Sequence, residues 1–387
     1  IDDLKSTMQL LSQQLKDCTQ QRQKTGEQIL TYFRNISVQT CTDKAESGTV
    51  DYNYGIRDYD ETIDIEKISI CQMSELPAAW NEYVTQHPAG CIHHRSEWLI
   101  LFHDSYRHPC FYFAAFDDDK NIVGILPLVR LKSRLFGDLM VSMPYFQRGG
   151  AIADHPQIEH RLMSYANGQA EQLGIEHIEY RDDITRENMP VQSHKVNMVL
   201  ALPEDSDSLW QSFSSKLRAQ IRRPQRENPE TLFGREELLN AFYAVYSRNM
   251  RDLGSPVHSR NFIANILRYF PDNSWLVVVK LKNRPVGAAL LLADGDTMEI
   301  PLASTIRDVN HLSLNMLLYW NVLQFAIGKG VKYFDFGRST KGAGTYRFKQ
   351  QWGAQPQALY WHYWLSEGSS LPGLNPDNPK FAMMIYL

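Results

Sequence analysis

Apolar residues recur every three or four positions in some segments of this chain and every second position in others. The first spacing is typical of amphipathic helices and the second of half-buried strands. From residue 65 to residue 202 these patterns predict a strand and two helices, followed by three strands, a helix and a strand. The predicted helices are 75–86, 96–105 and 157–173, and the predicted strands are 65–71, 111–116, 122–129, 139–143 and 175–180.

The same order of elements returns about 160 residues later, where helices are again followed by three strands, a helix and a strand. A unit that is repeated along a chain indicates internal duplication, so the pattern predicts two similar α/β domains packed together. In this second block the predicted helices are 208–227, 235–253, 261–269 and 313–328, and the predicted strands are 275–280, 285–292, 297–303 and 331–336.

The chain before the first of these domains has a different character. In its first turns, apolar residues alternate spacings of four and three in a glutamine-rich background, as in a coiled-coil seam or an amphipathic helix. Because the seam is short, a helix that pairs two copies of the chain and a helix docked on its own body both remain open. We divide the chain into a helix at 1–35, a linker at 36–64, α/β domains at 65–202 and 203–366, and an irregular tail at 367–387.

The composition is that of a globular protein with a modest negative charge. Its 387 residues, 43% of them hydrophobic, suffice to build sizeable cores. The formal net charge of -4 and the pI near 6.3 argue against a general nucleic-acid coat protein and against DNA binding. A polyanion would therefore have to be held by a local basic patch.

The cysteines indicate a reducing compartment. They are five in number, show no Cys-x-x-Cys spacing and lie in the first third of the chain, which favours free thiols over a disulfide framework or a zinc site. No apolar run reaches about 18 residues, and the amino end lacks the regions of a signal peptide. We expect a soluble protein of the cytoplasm. The cysteines are Cys18, Cys41, Cys71, Cys91 and Cys110.

The segment from Tyr333 to Trp352 concentrates the candidate chemistry. It combines an aromatic strand, a glycine-rich loop with Gly342 and Gly344, and a short helix. Four cations within it, with no carboxylate among them, suit a phosphate, a carboxylate or a developing oxyanion. A solvated basic turn is the alternative interpretation. The four cations are Arg338, Lys341, Arg347 and Lys349.

The residues of this segment resemble a signature of the FemABX aminoacyltransferases. After Arg338 and the glycine-rich turn, residues 346–353 (Tyr-Arg-Phe-Lys-Gln-Gln-Trp-Gly) are similar to the family's Phe-Lys-x-x-Phe-Gly, with Trp352 in place of the last phenylalanine. Residues 145–154 resemble the family's Pro-Arg-Gly-Pro segment, which ends in an aspartate, with Gly150 in place of the second proline. Residues 216–223 resemble the basic helix of the family. Residues 249–259 and 299–304 resemble the FemAB-like group associated with exosortase (PEP-CTERM) and exopolysaccharide loci.

The resemblance implies a fold of tandem GNAT-like (acetyltransferase-like) domains and a set of site residues. Lys349 would stabilise the tetrahedral oxyanion and Phe348 would shape its pocket. Asp154 would be the general base, although a cap of the helix predicted at 157 explains it equally well. Tyr346 would stack on a ligand or belong to the core. Together with the chemistry of these side chains, the resemblance leads us to predict substrate binding by Arg148, Arg338, Lys341, Gly342, Gly344, Arg218 and Arg222.

These anion-binding residues form two groups with different predicted ligands. Arg338 and the two glycines suit a CoA-like or nucleotide-linked pyrophosphate at the following helix terminus. Arg218 and Arg222 share a helix face, which suits a polyphosphate or a transfer RNA acceptor stem, or is simply solvated. No metal site is expected, because the neighbouring His93 and His94 diverge.

The predicted function is N-acyl transfer to an amine of a cell-envelope or exopolysaccharide precursor. Direct transfer needs an oriented acceptor and donors for the oxyanion, but no covalent enzyme nucleophile. No tightly bound cofactor is expected, and the acyl donor would be a co-substrate, either aminoacyl-tRNA or acyl-CoA. Two alternatives remain open: transfer from acyl-CoA or an acyl carrier protein, and a non-catalytic scaffold of a polysaccharide assembly complex.

Overall fold

The computed structural model describes residues 59–60, 62–133 and 137–371. The predicted amino-terminal helix at 1–35, most of the linker and most of the tail lie outside these residues. In the part that is described, the strands form two sheets.

The first sheet is mostly antiparallel and is ordered β1-β2-β3-β4-β6-β15-β7, with β5 added beside β3. Strands β1 to β4 form an antiparallel meander, and β4 then pairs in parallel with β6. Its strands are β1 (Ser69–Met73), β2 (Cys110–Phe116), β3 (Ile122–Ser133), β4 (Gly137–Val141), β5 (Ile152–Ala153), β6 (His177–Asp182), β7 (Val191–Gln192) and β15 (Tyr360–Leu365).

The second sheet repeats this plan in the order β9-β10-β11-β12-β13-β8-β14. An antiparallel meander of β9 to β12 is followed by a parallel pair, β12 and β13, and then by antiparallel partners. The predicted duplication is therefore visible in the pairing. Its strands are β8 (Lys195–Ala201), β9 (Glu230–Gly234), β10 (Ser274–Leu281), β11 (Arg284–Asp294), β12 (Thr297–Thr305), β13 (Tyr333–Thr340) and β14 (Gln355–Ala358).

The two sheets exchange one strand each. Strand β8 follows the strands of the first sheet along the chain but pairs with β13 in the second sheet. Strand β15 follows the strands of the second sheet but pairs with β6 in the first. Each exchanged strand occupies the same place, beside the last strand of the parallel pair. The boundaries proposed at 202 and 366 stay a prediction, and the sheets themselves do not divide the chain there.

The helices cover the sheets and join them. Helix α3 packs against the first sheet through Ile158, Leu162 and Ala166. Between the halves, α2 packs on α7: the rings of Trp98 and Phe270 lie 4.6 Å apart, and one apolar core runs through both residues. The helices are α1 (Ala78–Gln86), α2 (Glu97–Tyr106), α3 (Pro156–Gln172), α4 (Ser206–Ser212), α5 (Ser215–Gln225), α6 (Leu239–Asp252), α7 (Arg260–Tyr269), α8 (Leu314–Gly328) and α9 (Gly344–Gln350).

Three predicted elements differ in the structure for local reasons. The helix predicted at 208–227 is broken, because the Ser214 hydroxyl caps a new helix by accepting from the Leu217 N–H. The strand predicted at 65–71 begins with a turn of 3-10 helix. The strand predicted to stop at Gly337 continues to Thr340, because this glycine, at a φ of +77°, lies in a register shift within β13.

The exchanged strand β15 is anchored by a buried ionic network. Arg186 donates to the carboxylates of Asp182 (2.8 Å) and Glu159 (2.7 Å), and its backbone N–H donates to His362 of β15. The His362 ring also contacts Asp182 at 3.2 Å. Helix α3, β6 and β15 are thus tied together at one point. Among the described residues, no helix is both long and apolar enough to cross a bilayer.

Replacing Arg186 with methionine should destabilise the protein. The carboxylates of Glu159 and Asp182 are 1% and 0% exposed and would lose their main cation, which typically costs about 3–5 kcal/mol. Urea denaturation measures the change. Arg284→Met is the matched control, because Arg284 pairs with Asp308 at the surface and its loss should cost about 0.5 kcal/mol or less. Equal losses in both variants would contradict this account.

Candidate functional site

Strands β12 and β13 run side by side for three residue pairs, from Thr297 and Tyr333 to Glu299 and Asp335, and pair no further. Asp335 lies at this point and is 2% exposed. Its carboxylate accepts hydrogen bonds from Asn197 Nδ2 of β8 (2.5 Å) and from the Gly337 N–H (2.6 Å). Burial, with the Glu299 carboxylate nearby, raises the pKa of Asp335.

Lys349 reaches the same place from α9. Its Nζ donates to the carbonyl oxygens of Gly337 and Arg338, both at 2.9 Å, and the residue is only 8% exposed. An ammonium group has three donors, so one has no partner in the described part of the chain. Burial lowers the pKa of Lys349 to about 8; the Arg338 charge acts in the same direction, while Asp335 opposes it.

The aromatic residues around Lys349 belong to the core. Phe348 is partly buried, and its ring lies 5.0 Å from that of Tyr319 and 6.3 Å from that of Trp352. Trp352 is almost completely buried, at 1% exposure. Tyr346 also packs against this core. These contacts fix the orientation of α9, and with it the position of Nζ.

Arg338 lies where the two sheets meet. Its guanidinium carbon is 4.5 Å from the ring centre of Trp361 on β15, and that of Arg181 on β6 is 4.4 Å from the same ring. Arg338 is exposed when the whole residue is considered, but its guanidinium group is partly buried by neighbouring atoms. This burial, together with repulsion from Arg181, lowers the pKa of Arg338 to about 10. No described carboxylate forms an ion pair with Arg338, so its charge is available to a ligand.

Other cations border Arg338. Burial and the Arg338 charge lower the pKa values of both His194 and Lys195, which shows that the three groups share one electropositive surface. Lys341 follows on the exposed loop. Gly342 has a φ of +79° and a Cβ there would meet nothing, so its backbone conformation rather than lack of space favours glycine.

Asp154 lies elsewhere. Its carboxylate accepts from the Tyr83 hydroxyl at 2.7 Å, and burial raises its pKa. The charges that act on it, Asp60 and Asp117, also belong to the first half of the chain. No described contact joins it to Lys349. The alternative role as a helix cap is wrong, because the N-cap of α3 is His155, whose ring accepts from the Gln157 N–H.

The remaining predicted arginines divide into two places. Arg148 pairs with Asp183 at 3.1 Å and lowers the pKa of Asp335, so it belongs to the surroundings of Lys349. Arg218 and Arg222 lie on α5, where Arg218 donates to Gln211 and Arg222 lies 5.1 Å from the Trp210 ring. No described contact connects these two with Arg338 or Lys349. The structure thus brings Lys349 to the backbone of Arg338, whereas Arg148 acts there only on the neighbouring Asp335.

Sequence reasoning missed Glu299, Asp335 and the role of His93. His93 Nε2 lies 3.0 Å from Glu299 Oε1, across the junction of the two halves. Burial alone would lower the pKa of His93, but Glu299 and Cys91 raise it to about 10. The available signal was an acidic residue inside each of two apolar strands, where a charge is costly unless it has a partner.

A wide cavity of about 690 Å³ lies between α3 and residues 184–190. None of the predicted site residues lines it. In the described part of the chain, no group of three or more His, Cys, Asp or Glu side chains could hold a metal ion.

Residues 212–350 match the family model described as an acetyltransferase (GNAT) domain, a span that ends just after Lys349. No curated protein matches the sequence. Among solved structures, the chain is similar to the crystal structure of FemX, with 13% identity and a TM-score of 0.58 over 75% of this chain and 96% of that one.

A second similar structure is the C-terminal domain (DUF2156) assigned to a lysylphosphatidylglycerol synthetase from Agrobacterium fabrum, with 11% identity and a TM-score of 0.50 over 74% of this chain and 90% of that one. At such identities the likeness concerns the fold. The predicted α/β fold class is confirmed at that level, and the GNAT match over residues 212–350 agrees with the predicted acyltransferase family. Residues 212–350 are thus similar to an acetyltransferase (GNAT) domain, within a chain whose fold is similar to that of FemX.

Proposed function

We propose that this protein is an N-acyltransferase that moves an acyl or aminoacyl group onto an amine of a cell-envelope or exopolysaccharide precursor in the cytoplasm. One observation carries the proposal. Lys349 holds a buried ammonium group with one donor to spare, at the point where β12 and β13 of the GNAT domain cease to pair. The exosortase-associated setting rests on the sequence resemblance.

The chemistry asks for a donor aimed at negative charge that develops during reaction. When the amine attacks the acyl carbonyl, the carbonyl oxygen becomes an oxyanion, and a preorganised cation in a dry site stabilises it. With a pKa near 8, Lys349 is mostly protonated at neutral pH. Its two backbone acceptors hold it in place, so little reorganisation is needed at the moment of reaction.

Asp335 acts as a positioning residue in this scheme. Its carboxylate holds the Gly337 N–H, and the carbonyl oxygen of the same glycine holds Lys349. Asn197 of the exchanged strand β8 fixes Asp335 in turn. The orientation of the ammonium group therefore depends on both parts of the chain that build the second sheet.

The electropositive surface of Arg338, His194 and Lys195 would hold the anionic part of a substrate. A phosphate of a nucleotide-linked saccharide or of CoA suits it, because Arg338 is not neutralised by a described carboxylate. Lys341 and the glycine-rich loop extend this surface towards α9. We place the acceptor groove here, between the sheets. Asp154 stays a proposal as general base, based on the resemblance alone.

The proposal leaves two candidates for the acyl donor. Aminoacyl-tRNA would use the arginines of α5, Arg218 and Arg222, while acyl-CoA or an acyl carrier protein would use the surface around Arg338. Labelled aminoacyl-tRNA and labelled acyl-CoA, offered separately with cell-envelope precursors, identify the donor by the label that becomes an amide. If neither forms an amide, and the amino-terminal segment instead dimerises or captures a polysaccharide assembly partner, the protein is a scaffold.

Replacing Lys349 with methionine should lower kcat about 10²–10³-fold, the usual cost of losing one oxyanion donor. Initial rates of amide formation measure the effect, and thermal unfolding shows whether the variant still folds. Lys332→Met is the control, because Lys332 is 68% exposed and pairs with Asp296 at the surface. Wild-type kcat in a folded Lys349→Met variant would refute the role.

The wild-type rate should fall as pH rises through about 8. Above its pKa the Lys349 amine is neutral and is a weaker donor to an oxyanion, so activity is lost on the alkaline side. A pH–rate profile of kcat tests the sign. A rate that rises through the same range would instead make Lys349 a base.

The charge of Asp335 should be needed to keep Lys349 protonated. Asp335→Asn removes the carboxylate that raises the Lys349 pKa, so this pKa should drop below about 8. The Cε chemical shift of ¹³C-labelled lysine reports the titration. In Asp296→Asn, which removes the partner of exposed Lys332, the Lys349 pKa should not move. Titration of Lys349 near 10.4, with ordinary lysines, would contradict its burial as a cation.

A further inference from the structure

Helix α5 carries a group of cations that the described part of the chain does not neutralise. Its 11 residues and the C-cap residue that follows them include five lysines and arginines and no acidic residue. None of the five forms an ion pair among the described residues; Arg218 donates to the neutral Gln211. We call this group the α5 cationic face. Its members are Lys216, Arg218, Arg222, Arg223 and Arg226.

The apolar and cationic residues of α5 lie on different sides of the helix. Three apolar residues are buried against the body of the protein, at the spacings of four and three that align one side of a helix. Of the five cations, Arg218 is half-buried and the other four are exposed. The helix is therefore held through its apolar side, and its charges face outward. The buried residues are Leu217, Ile221 and Pro224.

The helix itself gains little from these charges. Lys216 and Arg218 lie at its beginning, where the positive end of the helix dipole repels cations. Arg222 lies four residues after Arg218 and four before Arg226, and like charges at this spacing destabilise a helix. Only the arginines of the last turn interact favourably with the dipole. An anionic partner would relieve these repulsions together.

The length of the cationic face excludes a single small anion as the partner of all five charges. Lys216 and Arg226 are ten residues apart, which corresponds to about 15 Å along a helix axis. One phosphate group contacts only the cations next to it. An extended anionic surface therefore fits this face better than an isolated phosphate does.

A bilayer of anionic lipids fits the face better than a nucleic acid does. Helices that carry about four to eight lysines and arginines are typical of proteins that bind acidic lipids. The field of a charged bilayer fades within a Debye length of about 8–10 Å, so it acts on the nearest face of the protein alone. A transfer RNA extends much further and would also meet the rest of a protein whose net charge is -4.

An indole ring lies at the edge of the cationic face. Trp210 of α4 is half-buried, and the guanidinium carbon of Arg222 lies 5.1 Å from the centre of its ring. The ring of Trp320, 5.0 Å away, holds it in place. Tryptophan suits the headgroup region of a bilayer, because its side chain combines an apolar ring with a polar N–H.

The cationic face is also close to the helix that carries Lys349. Phe213 lies between α4 and α5, and its ring is 5.5 Å from that of Trp352, three residues after Lys349. The beginning of α5 and the end of α9 are therefore neighbours. Any surface that binds α5 comes close to the candidate site.

We propose that the α5 cationic face docks the protein on the anionic phospholipid headgroups of a membrane. The docking is electrostatic and reversible, because the apolar side of α5 is already packed within the fold. For the proposed acyl transfer, it would hold α9 close to acceptors carried on membrane lipids. It would also occupy the face that aminoacyl-tRNA needs, which leaves the Arg338 surface to the acyl donor. These two consequences rest on the proposed function, whereas the docking itself does not.

Sedimentation with lipid vesicles tests the docking. The full chain should bind vesicles of phosphatidylglycerol and phosphatidylcholine at about 0.1 M salt and dissociate at about 1 M, where the Debye length falls to about 3 Å. It should not bind vesicles of phosphatidylcholine alone. Absence of binding to the anionic vesicles, or equal binding to both kinds, overturns the proposal.

A triple variant assigns the binding to α5. Lys216→Gln, Arg223→Gln and Arg226→Gln together should weaken binding to the anionic vesicles at least about 100-fold, since each cation at an anionic bilayer contributes about fivefold. The variant should unfold at the wild-type temperature, because these side chains are exposed and the described chain gives them no partner.

The control variant removes the same charge from three exposed cations outside α5 and should bind the vesicles like the wild type. Equal loss of binding in both variants, or no loss in either, overturns the role of α5. The control changes are Lys120→Gln, Lys282→Gln and Arg307→Gln.

Bulk transfer RNA is the competing polyanion. If the protein binds transfer RNA, loses it in the triple variant and does not bind anionic vesicles, the face serves a nucleic acid and the proposal fails. Catalysis is judged separately. Vesicle binding without amide formation refutes the transferase alone, and amide formation without vesicle binding refutes the docking alone.

Discussion

A lysine ammonium group that is buried against backbone carbonyls determines much of the candidate site. Burying a charge is costly unless hydrogen bonds and opposite charge surround it, and Lys349 has both: two carbonyl oxygens and the nearby Asp335. The register shift in β13 supplies these carbonyls, because Gly337 takes a backbone conformation that most residues avoid. The irregular backbone of β13 thus supplies the two carbonyl oxygens that stabilise the buried charge of Lys349, and the same two contacts set the direction of its ammonium group.

The two halves of the protein contribute to the site through contacts of different kinds. The guanidinium carbons of Arg181 and Arg338 lie 4.4 and 4.5 Å from the ring centre of Trp361 on β15, and the electron-rich ring attracts both cations. The pair of His93 and Glu299 joins the halves by charge. The shared apolar core around Trp98 and Phe270 joins them by packing. Because several independent contacts hold the junction, the groups that line it keep fixed distances.

The sequence was sufficient for the local elements and for one part of the site. Hydrophobic spacing located most helices and long strands, and the resemblance at 346–353 pointed to Lys349, which is indeed buried beside Asp335. Long-range pairing was not predictable in this way: nothing in residues 195–201 or 360–365 states which sheet they join, since period-2 patterns identify a strand but not its partner. Glu299 and His93 are 206 residues apart, so only the fold reveals their contact. Asp154 is the opposite case: its sequence matches the motif, but the fold surrounds it with residues of the first half of the chain and not with Lys349.

The exchange of β8 and β15 has a consequence for how the chain is made. The first sheet lacks the neighbour of β6 until residue 365 has left the ribosome, although its other strands are complete by residue 192. Domains usually fold in order from the amino end during synthesis. Here the half that is synthesised first must wait with an open strand edge for the half that is synthesised last, so the two halves complete their folding as one unit.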